Sequence, residues 1–232
     1  MNRFNGVVKL HVVGGYSKFN WFILPWLIVL SSFAINLIIS GFLNNGKDLY
    51  TGGMVSIFFY MLVAVMVAVN TTFPFALGFN IRRTDYFLGT SLVVGLICLG
   101  DAALLWLLSI IENNLTDYWW AGLHFFHLPY LNDGNLAVQF GVYFLAMLHF
   151  CFLAFVVISV FRRFGAFGLY SIFGAVGAVF SILTLLATQL NWWGAIFNWL
   201  GQQSAFGLCL WLTPLTILYA LAAFLLLRRS TV

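Results

Sequence analysis

The stretch "FALGFNIRRTDYFLGTSL" (Phe75–Leu92) places Arg82, Arg83 and Asp85 between two long apolar runs. Apolar runs of that length require lipid or a large dry core, whereas adjacent guanidinium groups require water. A helical hairpin meets both demands if its arms cross a bilayer and its turn sits at one aqueous face. The rest of the chain repeats this pattern.

The chain has 232 residues, of which 63% are hydrophobic and 7% charged, with 26 Phe and 9 Trp. Soluble domains carry about 25% charged residues. A fold this apolar has too little charge to cover itself in water, so it reads as an integral membrane protein. A spanning helix needs about 20 mainly apolar residues. Six segments qualify, near 21–43, 54–77, 86–111, 136–161, 165–190 and 206–227, within a single domain over residues 1–232. The runs are continuously apolar rather than alternating with period two, which argues against a β-barrel. The predicted fold class is all-α, an integral membrane bundle of six transmembrane helices.

Lysines and arginines orient the bundle. Arg3, Lys9 and Lys18 precede the first span, Arg82-Arg83 follow the second, Arg162-Arg163 follow the fourth, and Arg228-Arg229 follow the sixth. Nine of the ten basic residues thus share one face, with Lys47 alone on the other. The positive-inside rule makes the shared face cytoplasmic and puts both termini inside. Asp48, Glu112, Asp117 and Asp133 fall on the outer face.

Residues 1–19 read as an amphipathic helix on the cytoplasmic leaflet, with Phe4, Val8, Val12 and Phe19 on one stripe and Lys9 and Lys18 off it. No apolar core of signal-peptide type precedes Trp21. On the outer side, Tyr118-Trp119-Trp120 and Trp192, Trp193 and Trp199 suit the water–lipid boundary. "NWWGAIFNWLGQQ" (Asn191–Gln203) is too short to span and reads as an outer-leaflet helix. Its tryptophans form either an interfacial belt or an outer gate. Gly174 with Ala178, and Gly177 with Ser181, have the four-residue spacing of close helix packing, within the chain or at a subunit interface.

Chemistry-bearing motifs are sparse. "GFLNNGKD" (Gly41–Asp48) begins like a P-loop, but Asp48 replaces the Ser or Thr that would hold Mg²⁺, and no strand–loop–helix context surrounds it. His124 and His127 lack the Glu of a zinc-binding helix. Cys98, Cys151 and Cys209 sit in apolar runs and read as small packing residues. Asp101 in span three and His149 in span four are the ionisable residues inside spans, where charge is costly, so both are candidate pathway residues. Asp101 lies 18 residues beyond Arg83 and His149 lies 13 short of Arg162. At about 1.5 Å per residue the two could meet in the outer half of the bilayer. Asn70 adds polarity to span two, and Pro74 predicts a kink near its cytoplasmic end. No catalytic or metal site is expected, and no nucleic-acid partner.

Together these features resemble the permease subunit of ABC-2 type transporters. The most specific element is "FALGFNIRRTDYFLG" (Phe75–Gly89), which is similar to the family's apolar run followed by a glycine, basic residues, an aromatic and a second glycine. Here these are Gly78, Asn80, Arg82-Arg83, Tyr86-Phe87 and Gly89. The resemblance implies an interface helix over Arg3–Phe19, a short ATPase-docking helix over Phe79–Leu88 and an outer-leaflet helix over Asn191–Gln203. The coupling interface would comprise Phe79, Asn80, Ile81, Arg82, Arg83, Asp85 and Tyr86. Phe79, Ile81 and Tyr86 would fill a partner's groove, and Arg82, Arg83 and Asp85 would make charge-assisted contacts. The chain itself would carry no cofactor, because ATP and Mg²⁺ belong to two cytoplasmic ATPase subunits. A second permease copy, identical or homologous, completes the complex in a bacterial cell membrane. The aromatic rim and few buried charges point to export of an amphipathic, peptide or lipid-like substrate. One departure is the outer connection between spans three and four, about 24 residues here, where the family keeps it short. Two other readings are a substrate-binding component of a small-molecule importer or sensor, and a membrane enzyme using Asp101 and His149.

Overall fold

The computed structural model describes residues 3–12, 19–43, 48–120, 122–132 and 134–230; Lys18, Lys47 and Asp133 lie outside the described residues. The elements are α1 (Arg3–Val12), a π-helical turn (Phe19–Ile23) leading into α2 (Leu24–Leu43), α3 (Ser56–Gly78), α4 (Arg83–Asn114), α5 (Leu136–Gln189), α6 (Trp193–Gln202) and α7 (Ala205–Arg228). A two-residue parallel pair joins β1 (Leu49–Tyr50) to β2 (Leu123–His124). The fold is all-α in character, and five of its helices are long and apolar enough to cross a membrane.

The expected six spans appear as five helices because spans four and five run together in α5, which has 54 residues. A straight helix of that length would extend about 80 Å, far beyond a hydrocarbon core of about 30 Å. It is not straight. Gly165, with φ 70° and ψ −168°, interrupts the helical backbone in a conformation that favours glycine. Arg162 and Arg163 precede the break and are good helix formers, so charge alone does not end the helix there.

The core lies among α3, α4 and the part of α5 before Gly165. On α3 the buried stripe is Ile57, Met61, Val65, Val69, Phe73 and Ala76. On α4 it is Tyr86, Thr90, Val94, Ile97, Asp101, Leu105, Ser109 and Glu112. Spacings of three and four residues keep each set on one face. In lipid such stripes gain little from leaving solvent, because the solvent is itself apolar, and they hold by close packing and hydrogen bonds. α7 packs along the first part of α5, where a Cβ on Gly141 would sit 2.8 Å from the Phe206 ring. Beyond Gly165 the picture reverses. Between Ala166 and Gln202 only Ala187 is buried.

α1 packs against the start of α4, burying Val7 and His11, while Val12 is exposed. Its packed face is therefore one position away from the expected Val8–Val12 stripe. The side chains of Phe4 and Phe19 lie outside the described residues.

Candidate functional site

The turn between α3 and α4 is built by backbone capping. Asn80 adopts a left-handed conformation, φ 57°. Its N–H donates to the Leu77 carbonyl (2.9 Å), and the Ile81 N–H donates to the Ala76 carbonyl (3.2 Å). This is a Schellman closure with asparagine in the usual glycine position. α4 starts at once at Arg83, and Asp85 in its first turn complements the helix dipole. The separate docking helix expected over Phe79–Leu88 is absent. Phe79–Arg82 is a four-residue turn and the remainder is the first part of α4 itself.

The expected coupling residues divide into three groups. Phe79 (66% exposed), Asn80 and Arg82 face outward. Ile81, Arg83 and Asp85 are half-buried, and an Arg83 Nη1 proton is donated to the Arg228 carbonyl at 3.2 Å, close to the end of α7. Tyr86 has no exposure. Its hydroxyl hydrogen-bonds Thr72 Oγ1 at 2.7 Å and its ring packs edge-on against Phe73. The expectation that Tyr86 fills a partner's groove is therefore corrected: one helical turn into α4, its side chain faces α3.

Arg162, read mainly as a topology signal, also has a structural contact. Pro74 has no N–H, so the Asn70 carbonyl four residues earlier lacks its helical donor. The Arg162 guanidinium donates to that carbonyl across the α3–α5 seam. Thr71 and Thr72 return their hydroxyl protons to carbonyls one turn earlier, Val67 and Ala68. The Asn70 side chain belongs to an exposed position.

Asp101 and His149 do not meet. Asp101 is 3% exposed, and its Oδ1 accepts from Trp26 Nε1 at 2.9 Å, tying α2 to α4. Its Oδ2 has no hydrogen-bond partner among the described residues. His149 Nδ1 and Thr216 Oγ1 share a hydrogen bond at 2.9 Å, tying α5 to α7. Beside that bond, Leu145, Leu148, Phe152, Thr213 and Ile217 line a cavity of about 260 Å³. The two side chains face different seams, α2–α4 for Asp101 and α5–α7 for His149, a direction that residue counts do not carry.

The α4–α5 connection folds, together with β1, into a cap that residue-by-residue reading did not anticipate. Glu112 has no exposure. Its carboxylate accepts from the Phe125, Phe126 and His127 N–H groups at 3.0, 2.9 and 2.8 Å, and from Trp119 Nε1 at 2.7 Å. Four donors compensate the cost of burying the charge. Asp117, Tyr118 and Trp119 all have positive φ, at 46°, 58° and 60°, so this carboxylate anchors a turn whose backbone is unfavourable on its own. Around it, Asn132 Nδ2 donates to Ser109 Oγ (2.8 Å) and Tyr143 donates to the Phe126 carbonyl (2.9 Å). Trp119, expected at the water–lipid boundary, is thus an internal donor. His124 stacks on Tyr50 and lies 3.9 Å from Asp48.

Trp192, Trp193 and Trp199 are all exposed. A second Schellman closure sets them, with Asn191 at φ 52° and the Trp192 N–H donating to the Ala187 carbonyl at 2.9 Å. Trp193 Nε1 donates to Thr188 Oγ1 at 3.0 Å, and Trp199 packs edge-on against Trp211. Among the described residues no group of three or more His, Cys, Asp or Glu could hold a metal ion.

No family model, curated protein or solved structure matches the chain. The class of protein is defined by the chain itself: an all-helical protein whose multiple apolar helices suit it to cross a membrane several times.

Proposed function

We propose that the chain is the permease subunit of an ATP-driven transporter of the ABC-2 type. The observation that carries the reading is the α3–α4 turn, which is short, closes the C-terminal end of α3 by backbone hydrogen bonds and exposes Phe79 and Arg82. A turn of this kind transmits a push from a bound partner directly into two long helices. In this reading the break at Gly165 separates two spans, giving six crossings with both termini on the cytoplasmic side of the cell membrane. Two ATPase subunits carry ATP and Mg²⁺, and a second permease copy packs beside the first. ATP-driven closure of the ATPases moves the turns and rocks the helices between access states. The cargo is amphipathic, peptide or lipid-like, matched to the aromatic rim formed by Trp192, Trp193 and Trp199.

The test is co-purification from native membranes of the ATPase that associates with the chain. Phe79→Ala with Arg82→Glu is expected to remove it, while Arg163→Glu, an equally basic control, leaves it bound. Retention of the ATPase with all variants refutes the docking assignment. A second reading, a substrate-binding importer component, draws support from the cavity beside His149. A small molecule retained through purification of the single chain selects that alternative.

A further inference from the structure

We infer that Cys98 and Cys151 form an oxidisable pair that can staple α4 to α5 inside the bundle. Cys98 Sγ–H donates to Cys151 Sγ at 3.4 Å, across 53 residues of sequence, and neither side chain has any exposure. A disulfide has its sulfurs at about 2.05 Å, so closure requires an approach of about 1.4 Å. Ala102 on α4 and Ala154 on α5 lie about one turn from the pair and are both buried, so small side chains flank it. Cys209 is the internal contrast, because its Sγ lies 3.8 Å from the Val142 carbonyl and has no thiol beside it.

The site lies in the apolar core, with Asp101 one turn along α4 as its charged neighbour, and this enclosure selects an oxidant that dissolves in lipid. A lipid hydroperoxide satisfies this requirement. The sulfur of one cysteine attacks the terminal peroxide oxygen, and the O–O bond breaks. The lipid leaves as its alcohol, taking up the thiol proton, and the sulfur becomes a sulfenic acid. The second sulfur then displaces the hydroxyl, which departs as water with the second thiol proton. The peroxide gains two electrons and each sulfur loses one. The second step is favoured because the resolving thiol is already in contact, so the sulfenic acid is captured before it oxidises further. The product fixes the α4–α5 seam.

The experiment places the protein in phosphatidylcholine vesicles and adds cumene hydroperoxide. Intact mass is expected to fall by about 2 Da, the two thiol hydrogens, with a cross-linked peptide containing Cys98 and Cys151 that a lipid-permeant phosphine reverses. Cys98→Ser is expected to abolish the cross-link and leave oxygen adducts on Cys151. Cys209→Ser, which leaves the pair untouched, is expected to retain it, and this keeps the test decisive should Cys98→Ser fail to fold. Separate oxygen adducts on both cysteines, a cross-link to Cys209, or an unchanged pair after Cys209 has been oxidised would each overturn the assignment.

Discussion

Acidification should undock α1 from α4, and His11 sets the size of the effect. His11 Nε2 and Thr90 Oγ1 share a hydrogen bond at 3.0 Å, and the ring packs against Trp21 and Tyr86. Burial pushes the His11 imidazole down from 6.5 to about 4. Above pH 6.5 the ring is neutral whether α1 is docked or free, so docking is insensitive to pH. As pH falls from 6.5 towards 4, the free helix takes up a proton that the docked helix refuses, and docking weakens with each step. Below about 4 both forms are protonated and the loss levels off. At about 1.4 kcal/mol per pH unit, the gap amounts to roughly 3 kcal/mol, or a few hundredfold in the docking equilibrium. Hydrogen exchange of the α1 amides, corrected for the intrinsic pH dependence of exchange, reads this directly in lipid nanodiscs. Protection should fall between pH 7 and pH 4.5 in the native chain and stay level in His11→Gln. A flat native profile, or an equal fall in His11→Gln, refutes the argument.

Glu112→Ala strips the acceptor from four N–H groups, of which those of Phe125 and Phe126 are buried, at about 1–3 kcal/mol for each buried one left unsatisfied. Limited proteolysis should then cut the cap near residues 117–128 first, with little change at the α3–α4 turn. Gly53→Ala would put a Cβ 2.4 Å from the Phe125 ring and 2.8 Å from Ser32 Oγ. Phe125 is wedged between Phe33 and Phe126, so a loss of about 1–3 kcal/mol from overpacking is expected in thermal unfolding in detergent. Arg162→Gln should destabilise the native chain but have little effect in a Pro74→Ala background, where residue 74 supplies the N–H for the Asn70 carbonyl. The double-mutant cycle should show coupling of about 0.5–3 kcal/mol, and simple additivity would remove Arg162 from that role. Tyr86→Phe should lower stability by about 0.5–1.5 kcal/mol through loss of the Thr72 hydrogen bond while leaving the proposed ATPase association intact; loss of that association with stability unchanged would return Tyr86 to the docking surface.

Helix positions were largely legible because lipid imposes them: a segment must be apolar over its whole length, whichever way its residues face. Both sharp turns were legible in principle too. Asn80 and Asn191 each follow an apolar run, and asparagine tolerates the left-handed backbone that a Schellman closure needs. Packing faces were harder to read. On α3, Met61, Val65 and Val69 are buried while Phe59, Val63 and Val67 are exposed, and all six are apolar. A soluble helix announces its inner face by polarity on the outer one; a lipid-facing helix has no such contrast. The N-terminal stripe, read from its lysines, was off by one position because Val7 and His11 pack on α4, and Tyr86, placed on the surface by the resemblance alone, faces α3.

What the sequence by itself determined is the class of solvent, the approximate ends of the apolar helices and the clustering of basic residues at their connections. Each follows from the cost of placing charge or unpaired backbone in hydrocarbon, a cost that depends on residue type alone. Only the tertiary structure decided which groups meet. It separated Asp101 from His149, brought Cys98 to Cys151, gave Arg162 the carbonyl that Pro74 leaves open and turned Glu112 from an outer acid into the centre of a cap. Those outcomes depend on the rotation of each helix about its axis and on chain crossings tens of residues apart, and hydropathy carries no term for either.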